Sequence, residues 1–363
     1  MLATTATIIA LMCLTTASAS EQVIPGSLLT PIPPNFALGD CVTGRMTFTK
    51  DTVTDIAGAE ARRFSVDRTK YNFTLDYGTA DFGEGSMASL ALVRNSQDNP
   101  MAVAFSSRIS TTRYMQYGRI TIRFKPAAIP GVVTTFITFS DIQKMAPLAG
   151  ELTQDEIDWE IVGKDTAHPQ TNLFTYKALD LERGMHGGPI SAAISTDTPH
   201  DYTIDWKSDR IVWSIDNIVM RTLMKSDSRA MNPAALPLNE SWFPVSPSRV
   251  QISVWDGSLT HRSWAGGPIN WPPGDVVKVP FEWMDIQCYD NSDRPVERWA
   301  ADGSKRATSE VPIVVPGLSG SRRMGQTENN GNHTSASVGG NWIISHSTTL
   351  LMGCLVVLLQ LGL

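Results

Sequence analysis

Asp155-Glu156-Ile157-Asp158-Trp159-Glu160 places acids at Glu156, Asp158 and Glu160, with Ile157, Trp159 and Ile161 in the alternate slots. A repeat of two belongs to an extended strand with one buried and one open face. Wound as a helix, the same acids would spread over about half the circumference and the apolar residues would form no stripe. As a strand, the three carboxylates project from one side, in a row about 13 Å long from first to last Cα. Like charges so close repel, which is a poor choice for a surface that only has to be wetted. The row suits glycoside chemistry instead. A retaining glycosidase works with a nucleophile and an acid/base whose carboxyls stand about 5–5.5 Å apart across the scissile bond. Glu156 and Glu160 can lean inward to close most of that gap, and Asp158 between them can share a proton. Crowding raises the pKa of at least one member, so Glu160 can hold a proton near neutral pH as a general acid must. A solvent-facing acidic strand is the alternative reading of these six residues.

Strand patterns dominate the chain around this motif. Residues 118–124 alternate and bury Ile120, Ile122 and Phe124, while 132–139 form a β-branched run of the kind found in central strands. Residues 202–206 and 211–215 alternate again across a four-residue loop, and Asp216-Asn217 turns the chain into 218–220. Further strands are expected over 250–255 and 276–287, and no long 3.6-residue repeat is present. Many short strands at this spacing predict an all-β sandwich, with two curved antiparallel sheets around one core.

The 363 residues carry a formal net charge of −6 and no basic cluster, which argues against nucleic acid as a partner. Residues 1–19 read as a secretory signal peptide, with an apolar run over 7–14 and Ala17-Ser18-Ala19 ahead of the cleavage point. Residues 350–363 are apolar apart from Gln360 and follow a polar stretch and the small residues Ser335-Ala336-Ser337. That order describes GPI attachment, with Ser335 as the acceptor, Gly331 or Gly339 as other choices, and 336–363 as the removed propeptide. A tail-anchoring helix is the alternative. Residues 20–295 then form the folded domain, and 296–335, rich in Ser, Gly and Asn, form a stalk. The chain is therefore expected to be secreted and held on the outer face of the plasma membrane, touching the membrane through its lipid only.

Of four cysteines, Cys13 leaves with the signal and Cys354 with the tail. Cys41 and Cys288 remain in an oxidising compartment and are expected to pair; two separate core thiols are the alternative. Asn72, Asn239 and Asn332 head glycosylation sequons. The six histidines lack metal-ligand spacing, so no metal and no cofactor are expected. Trp206, Trp213 and Trp283 read as core residues. Trp264 and Trp271 lie in a Gly/Pro-rich loop, where aromatic rings more often meet a ligand.

Asp155 to Glu160 resembles the E-x-D-x-E core of glycoside hydrolase family 16, and most closely that of fungal Crh-type cell-wall transglycosylases. The same likeness runs through Pro130 to Phe136, Ser140-Asp141, Gln170-Thr171-Asn172, Tyr202 to Trp206, Val254 to Gly257 and Trp264 to Gly267, in order. It covers roughly Cys41 to Tyr289. The resemblance implies a concanavalin-like β-jelly-roll with the acids on its concave face. It further implies Glu156 as nucleophile, Asp158 as its assistant and Glu160 as general acid/base. By the same likeness Gln170, Asn172, Trp255, Trp264 and Trp271 are candidates for the sugar groove. The reaction it implies is cleavage of a β-linked donor such as chitin and transfer to β-glucan or chitin. A β-glucan hydrolase of the same fold and a non-catalytic wall lectin are the rival readings.

Overall fold

The computed structural model describes residues 40–298 except 57–64, 84–86, 97–98, 100–101, 141, 144–151, 154, 175–187, 229–242 and 291. The expected signal peptide, most of the stalk and the GPI segment, with Asn239, Asn332 and Ser335, lie outside the described residues.

In chain order the strands are β1 (Gly44–Thr47), β2 (Val53–Asp55), β3 (Phe73–Tyr77), β4 (Thr79–Phe82), β5 (Ala88–Val93) and β6 (Ser107–Thr111). Then come β7 (Gly118–Phe124), β8 (Val132–Phe139), β9 (Ile142–Gln143), β10 (Leu152–Thr153), β11 (Glu156–Val162), β12 (Gln170–Phe174) and β13 (Gly188–Pro189). The remainder are β14 (His200–Trp206), β15 (Arg210–Ile215), β16 (Ile218–Met224), β17 (Arg249–Asp256), β18 (Val276–Tyr289) and β19 (Pro295–Val296), with one short helix, α1 (Arg262–Ala265), before β18.

Eight strands make an inner sheet in the order β13-β12-β11-β8-β17-β6-β3-β2. An outer sheet runs β16-β15-β14-β7-β18-β5-β4, with β1 and β19 added on β18, and β9 and β10 pair separately. Among the described residues all strand pairings are antiparallel except β2 with β3, which is parallel. That one pair departs from the fully antiparallel sheets expected from the sequence.

Alternation along the strands is what builds the core. Ile157, Trp159 and Ile161 point inward from β11 and are fully buried. They meet Ile120, Ile122, Tyr202, Ile204 and Trp213 of the outer sheet in one hydrophobic cluster. Each large apolar side chain taken from water contributes about 1.5–3 kcal/mol. Tyr202 stacks on Phe124 with centroids 4.3 Å apart and meets the edge of Trp159 at 5.7 Å. Asp216 and Asn217 take φ of 49° and 65°, the left-handed pair that a two-residue hairpin turn demands. The turn keeps its geometry without glycine because Asx residues tolerate positive φ.

Cys41 and Cys288 are joined in a disulfide, with Cα atoms 5.9 Å apart across a sequence separation of 247. The link ties the chain just before β1 to the end of β18.

Two expectations are corrected here. Trp206 and Trp213 are fully buried, but Trp283 lies on the outer face of β18 with the Arg45 guanidinium 3.7 Å above its ring. The cause is an irregularity in register between Phe281 and Trp283, which turns Trp283 outward while Phe281 and Met284 both face the core. The glycan expected on Asn72 also does not fit the fold. Asn72 is only 2% exposed and Thr74 fully buried, so this sequon lies inside the domain.

Candidate active site

The open face of the inner sheet carries the acids. Antiparallel partners lie directly opposite and share a face. Glu156 faces Phe174 of β12 and Phe139 of β8, Asp158 faces Asn172 and Ile137, and Glu160 faces Gln170 and Thr135. Across β8 the rows continue into β17 as Arg249, Gln251 and Ser253. Thr135 and Ser253 hydrogen-bond through their hydroxyls at 2.6 Å. The strand that buries three hydrophobic residues therefore presents three carboxyls side by side to the opposite face.

Burial decides their protonation. Glu156 is pushed up to about 8, first by loss of hydration and then by the Glu160 charge, while nearness to Asp158 and the Arg108 charge pull it back. Burial pushes Glu160 up to about 7. Asp158, only 1% exposed and flanked by both glutamates, is raised well above the ordinary carboxylate range by burial and by those two charges. Glu156 Oε2 and both Asp158 oxygens are shielded from water and meet no partner at proper hydrogen-bond geometry. A protonated Asp158 beside Glu156 can donate to it and stabilise its anion.

One end of the row is walled by aromatic rings. Trp255 continues the same face of β17, opposite Val133. Trp264, on α1, stacks on it with centroids 5.9 Å apart and an interplanar angle of 24°. His261 meets both rings edge-on, at 5.7 Å and 6.0 Å, and burial lowers its pKa. α1 can lie this close because Gly257 has no Cβ; one would stand 2.6 Å from the Ala265 side chain. Trp264 donates its indole N–H to Gln170 Oε1 at 2.9 Å. Lys164 donates to the Ser263 carbonyl at 3.0 Å, tying the end of β11 to α1.

Across β8 from the acids a charged network fills the floor between β3, β6 and β17. Asp76 accepts from Arg108 Nε at 3.0 Å, from Ser110 at 2.5 Å and from Thr74 at 2.6 Å. Arg249, 1% exposed, donates to Thr74 Oγ1 and to the Thr111 carbonyl, each at 2.7 Å. The Arg108 guanidinium also lies 4.6 Å from the centroid of the Tyr77 ring.

The fold thus brings Glu156, Asp158, Glu160, Gln170, Asn172 and Trp255 to one face, with Trp264 stacked on Trp255. Asn172 is buried, and its Oδ1 accepts from Leu173 N–H at 2.9 Å. Trp271 is partly buried and packs against the main hydrophobic cluster. Sequence reasoning missed Asp76, Arg108, Arg249 and His261. The alternation of Arg108 and Ser110 about Ile109 in β6 is the signal that could have found the first arginine.

Comparison with known proteins follows the same lines. Crh-like protein 2 of Aspergillus fumigatus is 36% identical over 192 residues, 50% of this chain and 40% of that protein. Congo red hypersensitive protein 2 of Saccharomyces cerevisiae is 29% identical over 251 residues, 66% of this chain and 48% of that protein. The chain therefore spans less than half the length of these curated relatives. The solved structure of apo Crh5 transglycosylase is 25% identical with a TM-score of 0.51, covering 77% of this chain and 96% of that one. Residues 63–273, more than half of the chain, match the model of glycosyl hydrolases family 16, and the chain belongs to that family.

Proposed function

We propose that this chain is a retaining glycosidase of the fungal wall that works chiefly by transglycosylation. The observation that carries the reading is the register of β11, which sets Glu156, Asp158 and Glu160 in one buried row with raised pKa values. In the first step the Glu156 carboxylate attacks the anomeric carbon as Glu160 protonates the departing glycosidic oxygen, so that one C–O bond forms and one breaks. Asp158 donates to Glu156 and holds it as the anion before attack and as the leaving carboxylate afterwards. In the second step Glu160, now ionised, takes the proton of an acceptor hydroxyl. That oxygen attacks the anomeric carbon and frees Glu156, and the configuration is retained.

Transfer in preference to hydrolysis is supported by the Trp255–Trp264 pair beside Glu160, an apolar wall suited to the face of an arriving sugar. The likeness to Crh proteins supports a chitin-type donor and a β-glucan or chitin acceptor. The carboxy-terminal pattern supports a GPI anchor with Ser335 as acceptor. Incubation with chitin oligomers and a fluorescent β-glucan oligomer tests the reading: label is expected in longer products. Shortened donor with unextended acceptor would identify a hydrolase, and binding without turnover would identify a lectin.

A further inference from the structure

The contact between Trp264 and Gln170 fixes more than position. An indole N–H can only donate, so the amide atom it meets at 2.9 Å must be the oxygen of Gln170. With its oxygen engaged there, the amide turns its NH2 away from the tryptophan. Gln170 stands directly opposite Glu160 in the β11–β12 register, on the same face. Side chains so paired have Cβ atoms about 4.5–5.5 Å apart.

We propose that Trp264 is a positioning residue that acts through Gln170, locking the amide so that it presents donors and never its acceptor to Glu160 and the sugar oxygen beside it. The inference rests on the assignment of Glu160 as acid/base and deepens it. Trp264 itself is braced by contacts that need no ligand. Trp255 stacks on it, His261 meets its edge, and Lys164 anchors the preceding residue through the Ser263 carbonyl. Without the indole N–H the amide can rotate and offer Oε1 to the Glu160 carboxyl. That arrangement favours the protonated acid, whereas the NH2 favours the anion. The other groups facing Glu160 are the same in both cases. They are Asp158 and Glu156 on its own strand, Asn172 on β12, and Thr135 on β8 bonded to Ser253. Farther along the same row is Arg108 on β6, tied to Asp76.

The test is a double-mutant cycle on the full-length secreted protein, reading kcat/KM against pH for Trp264→Phe, Gln170→Leu and the double variant. Trp264→Phe keeps the ring and removes only the donor. In the wild-type background it should lower kcat/KM by about tenfold and move the alkaline limb, where Glu160 loses its proton, to higher pH. In the Gln170→Leu background the same change should do neither. Equal losses in both backgrounds, with the limb unmoved, would make Trp264 a sugar platform alone and overturn the proposal. The Trp264 indole N–H resonance gives a readout independent of turnover. It should shift on Gln170→Leu, and an unchanged resonance overturns the coupling. Absence of turnover on any β-glucan or chitin oligomer would sink the proposed function, with the resonance still deciding this contact.

Discussion

Trp213 donates its indole N–H to the backbone carbonyl of Asp158 at 3.0 Å, so the outer sheet grips the acid-bearing strand at its middle residue. Trp159 returns the bond, donating to the Thr203 carbonyl of the outer sheet at 3.0 Å. The Arg221 guanidinium lies 4.7 Å from the Trp213 centroid and donates to Thr171 Oγ1 at 3.0 Å, adding a third bond between the sheets. Two indoles crossing one core in opposite directions hold the separation of the sheets, and with it the depth of the acids.

Trp213→Phe should therefore cost about 1 kcal/mol for the lost hydrogen bond, together with the packing lost to the smaller ring. The expected outcome is a midpoint of thermal unfolding lower by about 3–8 °C and a lower kcat with little change in KM. Calorimetry and steady-state kinetics check it. A variant with unchanged midpoint and unchanged kcat would remove this brace from the account.

The acid row should destabilise the domain as pH rises. A carboxyl whose folded pKa is raised binds its proton more tightly folded than unfolded, so stability falls between the unfolded value and the folded one. For Glu160 that window runs from 4.5 to about 7, and for Glu156 from 4.5 to about 8. The variant Glu156→Gln/Glu160→Gln should match the parent near pH 4 and exceed it increasingly up to pH 8, by about 5 °C or more in midpoint. Thermal scans across that range measure it; a constant gap would contradict raised pKa values in the row.

The Cys41–Cys288 link closes a loop of 247 residues. In the chain-entropy account such a loop contributes about 5 kcal/mol. Replacement of both cysteines by serine should lower the denaturant midpoint strongly while leaving the denaturant slope of the folding free energy larger, because the unfolded chain expands. Equal stability of the two forms would show that the link is not what closes the sandwich.

Asn72 should remain unmodified when the protein is secreted from a glycosylating host, because a glycan there would have to occupy the interior. Peptide mapping after deglycosylation in heavy-oxygen water reads this directly. A fully occupied Asn72 would require a different path for the chain leading into β3.

Much of the sandwich was legible: period-two alternation marks β7, β11, β14 and β15, a β-branched run marks β8, and strands were expected where β17 and β18 lie. The strands before β7 were not, and β6 shows why. Ser107-Arg108-Ile109-Ser110-Thr111 is buried along its whole length yet holds a single hydrophobic residue. Its open-face side chains are covered by a polar network around Asp76, not by water, so the contrast between faces that reveals a strand is missing. Trp264 and Trp271 share one loop and looked equivalent. The structure stacks Trp264 on Trp255 through α1, four residues long and too short to leave a helical repeat, while Trp271 packs partly against the core. The face of Trp283 depended on a break in β18 register, and register is a property of the partner strand as much as of the sequence.

Glu156 is proposed to make the covalent bond to the sugar. The most direct test is mass-spectrometric mapping of the enzyme after exposure to an activated 2-deoxy-2-fluoro β-glycoside, which slows release of the glycosyl-enzyme. One added glycosyl group, on Glu156, is expected. An adduct on any other residue, or steady turnover of the reagent with inverted configuration and no adduct, would contradict it.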